Sequence, residues 1–565
     1  MTLDEIRNKM KQSGLDAYVI SHGNRFIGQD ILPDEHKIKA VCGFSGSAGI
    51  LAVTADSAYL FVDGRYELQS RQQVDTSKIT VIDKMPRFKN VCDLLQEKGI
   101  VSVGYDAWNH SVAEMEFLKR KYREMQFVDA GDWLNLDSTK PITAKVRDIQ
   151  FAGQSREEKC KLVADMLWDK QSDYYLFTSA DSVSWLLNLY ADDLPCSPVI
   201  RAYALVSLKG DVILFSDRLQ ADLPVKPWSE LADTLSALKD AKILYDGHTT
   251  PEKIKLSLSD DVSFNKAPDI CQELKAVKNE VELQGMINCH IRDGVALVNL
   301  FCWLEKQPHG LTELDIVEKL HALRAEQKYF FSESFETIAA AGKNGAVVHY
   351  QPTKETNTNL PENGLLLLDS GGQYLDGTTD VTRTIALGMP SREMITDFTT
   401  VLKAHIALAK VRFPLGTAGI KLDVIARANL WQNGEDYKHG TGHGVACFGN
   451  VHEGPISISV GSSEYGFKPN MVCSNEPGVY KEGKYGIRIE NLQYSSIVKD
   501  FEPAEFLEFR YLTKVPIDKK LIDKYMLSAG EQEWLNSYHQ DVYNTLTPYL
   551  SGEAKLWLEK ACSPL

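Results

Sequence analysis

One pattern occurs twice in the first half of this chain, and that repetition constrains its fold more than any other feature. An amphipathic segment leads into LDAYVISH (Leu15–His22) and then into AGILAVTADSAYLFVDGR (Ala48–Arg65). Further on, another amphipathic segment leads into SDYYLFTS (Ser172–Ser179) and then into AYALVSLKGDVILFSDR (Ala202–Arg218). Each copy reads as a helix, a buried strand and a strand–turn–strand hairpin ending in an Asp and an Arg. The turns Thr54-Ala55-Asp56 and Lys209-Gly210-Asp211 separate apolar β-rich runs, as hairpins require. Two tandem, repeat-related α/β domains are therefore expected.

The chain has 565 residues, enough for roughly three or four domains. The polar, turn-rich segment DAGDWLNLDSTKPITAK (Asp129–Lys145) separates the two copies, and a second seam lies near KAPDICQELKAVKNEVE. The expected division is residues 1–132, 133–274 and 275–565, the last with a polar helical tail over about 505–565. A long helical pattern from Lys275 to Glu305 opens the third region, with Val277, Val281, Ala296, Leu297 and Leu300 as apolar positions. Gly-rich strands follow, so the class is α/β with an α+β third domain.

Acidic residues number 77 against 62 basic, a formal net charge of −15. That balance argues against nucleic acid and anionic membranes as partners. No run reaches the roughly 18 apolar residues of a membrane helix. The start, MTLDEIRNKM, carries Asp4 and Glu5 where a secretory signal would be basic. The ten cysteines, from Cys42 to Cys562, include no C-x-x-C pair. A cytoplasmic protein with reduced thiols is expected.

The chemistry-bearing residues crowd one stretch. Of 13 histidines, His349, His405, His439, His443 and His452 lie close together. In LLLLDSGGQYLDGTTDVTRT, Leu365–Leu368 reads as a buried strand ending at Asp369, and Gly371-Gly372 and Asp376-Gly377 are turn signals before Asp380. A hairpin folded about Tyr374-Leu375 would set Asp369 opposite Asp380. Cross-strand partners have Cβ atoms about 4.5–5.5 Å apart. Two ionised carboxylates that close, beside buried leucines, repel and lose hydration unless protonated or joined by a cation. In NEPGVYKEGKYGIRIEN, Glu476 and Glu490 flank a second expected hairpin that turns at Glu482-Gly483-Lys484. A histidine precedes each hairpin, His349 the first and His452 the second. Either acid pair alone reads equally well as turn and surface charge. Together they suggest pseudo-symmetric halves facing one site.

Between the hairpins lies HGTGHG, His439–Gly444. Each glycine costs a helix about 1 kcal/mol, so this is not a two-histidine zinc helix. As a strand it puts His439, Thr441 and His443 on one face, while glycines on the other allow close backbone packing. Four carboxylates call for two divalent cations, since one would leave a double negative charge uncompensated. Oxygen donors with a single imidazole suit Mn(II), Co(II) or Fe(II) more than thiolate-preferring zinc, which stays open as an alternative. Paired ions share a bridging hydroxide and polarise a carbonyl oxygen, so the expected reaction class is metal-assisted hydrolysis. The remaining histidines would orient substrate, stabilise an oxyanion or move protons. FSGSAG (Phe44–Gly49) lacks the lysine of a phosphate loop, and no G-x-S-x-G elbow occurs.

In NGAVVHYQPT, LLLLDSGGQYLDGTTDVTRT, HGTGHGV, NVHEGP, NEPGVY and GIRIEN the sequence resembles the pita-bread metallopeptidases, and among them the long, three-domain cytosolic Xaa-Pro aminopeptidases (aminopeptidase P). The likeness runs close to full length, including DGRY in the first domain and the tail from about Phe501. It implies two creatinase-N-like α/β domains followed by a pita-bread catalytic domain. It makes Asp369, Asp380, His443, Glu476 and Glu490 the ligands of two divalent ions, with manganese expected first and cobalt or zinc as alternatives. Asp380 and Glu490 would be shared between the ions and His443 would hold one of them. Glu476 would also be the general base, and His439 would stabilise the tetrahedral intermediate or shuttle protons. His349 and His452 would contact the substrate backbone and its prolyl residue, and Arg488 and Tyr480 would orient ligands. Arg65 of DGRY would reach toward bound peptide. The family's first domain supports a homodimer, so that contact could come from a second subunit.

The implied substrate is a peptide with proline second, whose first residue is released by attack of the bridging hydroxide. An Xaa-Pro bond has no N–H and readily populates the cis form, so ordinary peptidase pockets read it poorly. Prolidase, which shares the ligands but cuts dipeptides, is the nearest alternative. Two full α/β domains and the C-terminal tail favour the aminopeptidase. A scaffold that has lost catalysis, or a metal-free creatine-hydrolase relative, would have lost ligands, and none is missing here.

Overall fold

The helix Leu3–Ser13 begins on a capping box, in which the Thr2 and Glu5 side chains each accept the other's backbone N–H, and ends on Gly14 at φ 66°. It delivers the chain into the wholly buried strand Ala17–Ser21. The structure is a computed structural model describing residues 1–27, 31–136, 138–238, 240–307, 310–461, 464–501 and 505–565. Ala17–Ser21 lies inside a six-stranded sheet. It pairs antiparallel with Ile50–Thr54, which turns back as Ala58–Val62, and parallel with Ser102–Tyr105. Thr80–Asp83 and Gln126–Asp129 are the edges.

Tyr174–Phe177 holds the same place in a second six-stranded sheet. It pairs antiparallel with Tyr203–Ser207, which turns back as Val212–Phe215, and parallel with Lys242–Tyr245. The preceding helix, Arg156–Asp169, also starts on a capping box, formed by Ser155 and Glu158. Strand order and direction match between the two sheets, so the repeated sequence pattern is a repeated topology. Both sheets belong to one compact unit (Met1–Arg147, Gln154–Leu194, Val199–Cys271), within which buried Arg201 and Glu35 form a 2.6 Å ion pair.

The second unit comprises Asp148–Gly153, Pro195–Pro198 and Gln272–Leu565. The helix expected from Lys275 is two helices. One ends at Ala276, and the other, Glu280–Glu305, starts afresh because Asn279 caps it in a box with Glu282. Leu297, Leu300 and Phe301 of this helix pack with Ile316 and Leu320 of the helix Glu313–Ala325 against Leu366 and Leu368. Those leucines lie on the buried strand Gly364–Ser370, flanked antiparallel by Ile338–Ala341 and Val381–Leu387. A six-stranded sheet follows, in the order Arg412–Pro414, Phe506–Tyr511, Asn491–Val498, Val472–Asn475, Gly442–Gly444 and Glu453–Ile458.

Val401 and Leu408 of the helix Arg392–Ala409 share one core with Leu422, Leu430 and Phe509. Leu535, Tyr538 and Leu558 of the C-terminal helices join it, so the tail is part of this unit. The architecture is the expected mixed α/β class. Among the described residues no helix is long and apolar enough to cross a membrane.

Candidate metal centre

Two antiparallel ladders place the acids. Asp369 pairs with Thr382 and Ser370 with Val381. Asp380 therefore lies one residue past the ladder, diagonal to Asp369, whereas the turn signals predict direct opposition. The reason is the inner hairpin, where Gln373 pairs with Thr378 and Tyr374 with Gly377. The turn is thus centred on Leu375-Asp376, and a one-residue shift of the centre moves every cross-strand partner by two. The second hairpin is centred on Gly483, with Gly478 paired to Arg488 and, beyond it, Asn475 paired to Asn491. Glu476 and Glu490 occupy the level between those two ladders.

His443 lies on the short strand Gly442–Gly444, held between Val472–Asn475 and Glu453–Ile458. The glycines permit this approach. A Cβ on Gly442 would stand 2.1 Å from the Ser474 carbonyl oxygen, and one on Gly444 2.2 Å from that of Glu453. His443 Nε2 lies 3.5 Å from both Asp380 Oδ2 and Glu476 Oε1. One donor atom from each of Asp380, His443 and Glu490 falls within 4.8 Å of the others.

Asp369 is held through Arg488, whose Nη2 donates to Asp369 Oδ2 at 2.5 Å. Its other oxygen, Oδ1, is buried without a hydrogen-bond partner. Arg488 Nε donates to Thr382 Oγ1 at 3.0 Å, and that hydroxyl donates to Glu490 Oε2 at 2.8 Å. Arg488 Nη1 donates to the Tyr480 hydroxyl at 2.7 Å. One guanidinium, 1% exposed, thereby ties both hairpins together.

Burial, then the charges of Asp369 and Glu476, push the Asp380 carboxyl well above the usual carboxylate range. Burial and then Asp380 push Glu490 up in the same way. Burial also raises the Tyr480 hydroxyl to about 12. These residues fit divalent cations. The orphaned Asp369 oxygen, the crowded carboxylates that burial disfavours as anions and the imidazole nitrogen form a mostly oxygen donor set for hard or borderline ions.

The other histidines surround this cluster. His439 Nδ1 lies 2.7 Å from the Gly440 carbonyl oxygen and Nε2 2.8 Å from the Tyr480 hydroxyl, while Glu476 is 3.9 Å away. His452 is exposed and meets His443 edge-on at 4.3 Å. Half-buried His349 follows the turn Gly342–Ala346, and Arg488 Nη1 reaches the carbonyl of the preceding Val348 at 3.4 Å. Arg65 belongs to the first unit, where it makes a two-pronged ion pair with Asp63 at 2.8 Å. It is not among the groups the second unit gathers.

Sequence reasoning passed over Thr382, Ser474 and a buried support beneath HGTGHG. Ser474 Oγ donates to Glu476 Oε1 at 3.3 Å. Arg427 donates to the carbonyls of Tyr437 and His439 at 2.7 Å each and to Asp423, which accepts a bond from Thr441. No local signal marks these residues, because a strand hydroxyl and a helical arginine are common. Elsewhere in the unit, a cavity of about 520 Å³ lined by Leu304, Leu360, Ile385, Ile517 and Trp557 is touched by none of the clustered carboxylates.

Residues 284–494 match metallopeptidase family M24, 3–136 and 138–282 each match the creatinase/prolidase N-terminal domain, and 505–565 match the C-terminal region of that peptidase family. Over all of its length the chain is 36% identical to a Laccaria bicolor protein named "Probable Xaa-Pro aminopeptidase P", 93% of which is covered. Aminopeptidase P2 of Arabidopsis thaliana is 35% identical, with 98% of this chain and 86% of that one covered. The crystal structure of X-prolyl aminopeptidase from Caenorhabditis elegans, described as a cytosolic enzyme with a di-nuclear active site, superposes with a TM-score of 0.93 at 31% identity and full coverage of both chains. The prolidase of Pyrococcus horikoshii shares the fold over 64% of this chain, with a TM-score of 0.50 at 22% identity and 99% of its own length covered.

Proposed function

Because this chain belongs to metallopeptidase family M24, we propose that it is an Xaa-Pro aminopeptidase, releasing the first residue from peptides with proline in second position. The carrying observation is the convergence of Asp369, Asp380, His443, Glu476 and Glu490, with Asp369 Oδ1 buried and unbonded. These five residues would hold two divalent ions, manganese before cobalt or zinc. When bound, such ions supply Lewis acidity toward the scissile carbonyl and lower the pKa of the attacking water.

The chain's own residues do the rest. Glu476 takes the proton from the attacking water, with Ser474 and His443 fixing its carboxylate. Arg488 holds Asp369 turned through its hydrogen bond, and through Thr382 it orients Glu490. His439, oriented by Tyr480 and the Gly440 carbonyl, faces the developing oxyanion or passes a proton to the leaving imino nitrogen. His349 and His452 contact the peptide backbone and the proline ring, and Arg65 of a second subunit's first domain reaches toward the bound peptide.

The working unit is a cytoplasmic homodimer. Supporting association, Ile420, Val424 and Trp431 form an apolar row on one face of the helix Gly419–Trp431 and are 42%, 45% and 48% exposed. Relatives of matching length named Xaa-Pro aminopeptidase favour this activity over prolidase. Hydrolysis of Gly-Pro and of a longer Gly-Pro-Xaa peptide, with and without Mn(II), tests the reading. Metal-dependent release of glycine from the longer peptide supports it, and cleavage confined to the dipeptide would make the protein a prolidase.

A further inference from the structure

His405 belongs to the same histidine-rich stretch, yet no role above uses it. It lies in the helix Arg392–Ala409, is 0% exposed, and packs edge-on to Trp534. Its Nδ1 stands 3.1 Å from the carbonyl oxygen of Asn475, and the Asn475 side-chain amide donates back to the His405 carbonyl at 3.0 Å. Helix and strand are clasped by this reciprocal pair. Asn475 is the residue immediately before Glu476. Burial, with the Arg383 charge adding to it, holds the ring's pKa down at about 3, so the ring is neutral and Nδ1–H is the donor. The Ile489 carbonyl, just before Glu490, faces the same ring, although Nε2 makes no hydrogen bond of ordinary geometry.

The peptide linking Asn475 to Glu476 is therefore held at both polar ends. Its carbonyl accepts from His405, and its N–H donates to the Thr441 carbonyl at 2.8 Å. Pro477 follows directly, which restricts the Glu476 backbone from the other side. Only the Glu476 side-chain torsions stay free, and Ser474 restrains those.

We infer that His405 is a positioning residue, fixing the backbone from which Glu476 reaches the attacking water. This rests on the function proposed above. A carboxylate swung by 1 Å at a reacting centre can lower the rate by about 10²-fold, so the effect belongs in kcat.

The test compares three variants, each loaded with Mn(II) and assayed on Gly-Pro-Xaa beside wild type. An asparagine amide nitrogen overlies Nδ1, a glutamine amide nitrogen overlies Nε2, and phenylalanine keeps only the ring. His405→Phe and His405→Gln should lose about 10- to 100-fold in kcat with KM within about threefold and both ions retained. His405→Asn should stay within about threefold of wild type. The inference is overturned if His405→Phe keeps wild-type kcat, or if His405→Asn is impaired as badly as His405→Gln. Should the phenylalanine variant fail to fold, the asparagine–glutamine contrast decides alone. Inactive wild type would instead overturn the proposed function.

Discussion

Arg488 holds one oxygen of Asp369 at 2.5 Å and leaves the other buried and unbonded. The same guanidinium bonds Thr382 and Tyr480, a fork that lysine, a point donor, does not reproduce. Arg488→Lys should lower kcat by about 10- to 100-fold and weaken metal retention on dialysis. Wild-type kcat and metal content in this variant would show that Asp369 needs no such partner.

Asp380→Asn and Glu490→Gln remove one buried charge each while keeping shape. Either should cut turnover by at least about 10³-fold and lower the metal content of the purified protein. In excess chelator the ranking of stability reverses. Metal-free wild type carries crowded buried carboxylates that either variant relieves, so the variants should melt above it. Calorimetry with and without chelator reads both signs, and a variant melting below wild type in chelator would contradict the like-charge crowding.

Three buried histidines give the folded chain an acid limit. Burial holds His290, His405 and His539 at about 4, 3 and 3. The unfolded chain protonates these rings as pH falls through about 6.5, while the folded protein does not. Their contribution is therefore fully present above about 6.5 and is lost as pH falls toward 3, by about 2 kcal/mol per ring at pH 5. In metal-loaded His539→Gln the stability lost between pH 7 and pH 5, read from urea midpoints, should be about 2 kcal/mol smaller than in wild type. An unchanged loss would mean that His539 takes up its proton while folded.

The apolar row on the helix Gly419–Trp431 gives the dimer a test of its own. Val424 is 45% exposed, so aspartate there leaves the fold intact and should shift the protein to a monomer in analytical ultracentrifugation, with Tm changed by less than about 2 °C. A dimer undisturbed by Val424→Asp would move the interface elsewhere.

Much of this was legible in the residues because the governing signals are local. The hairpin punctuation and the glycines of HGTGHG each state a backbone requirement. The centre of the first hairpin was not legible, because Gly371-Gly372 and Asp376-Gly377 mark a turn without saying which residues occupy its tip. The break at Asn279 hides inside an apolar periodicity that continues across it. Thr382, Arg427 and His405 act through partners far away in sequence, Glu490, the His439 carbonyl and Asn475, so only packing reveals them.

The most direct measurement counts metal against activity in one preparation. Elemental analysis should find two divalent ions per chain, and stepwise chelation should remove them together with release of the first residue from a Gly-Pro-Xaa peptide, both returning on adding Mn(II). Protein shown to be ion-free that still cleaves the peptide at full rate in chelator would contradict the account.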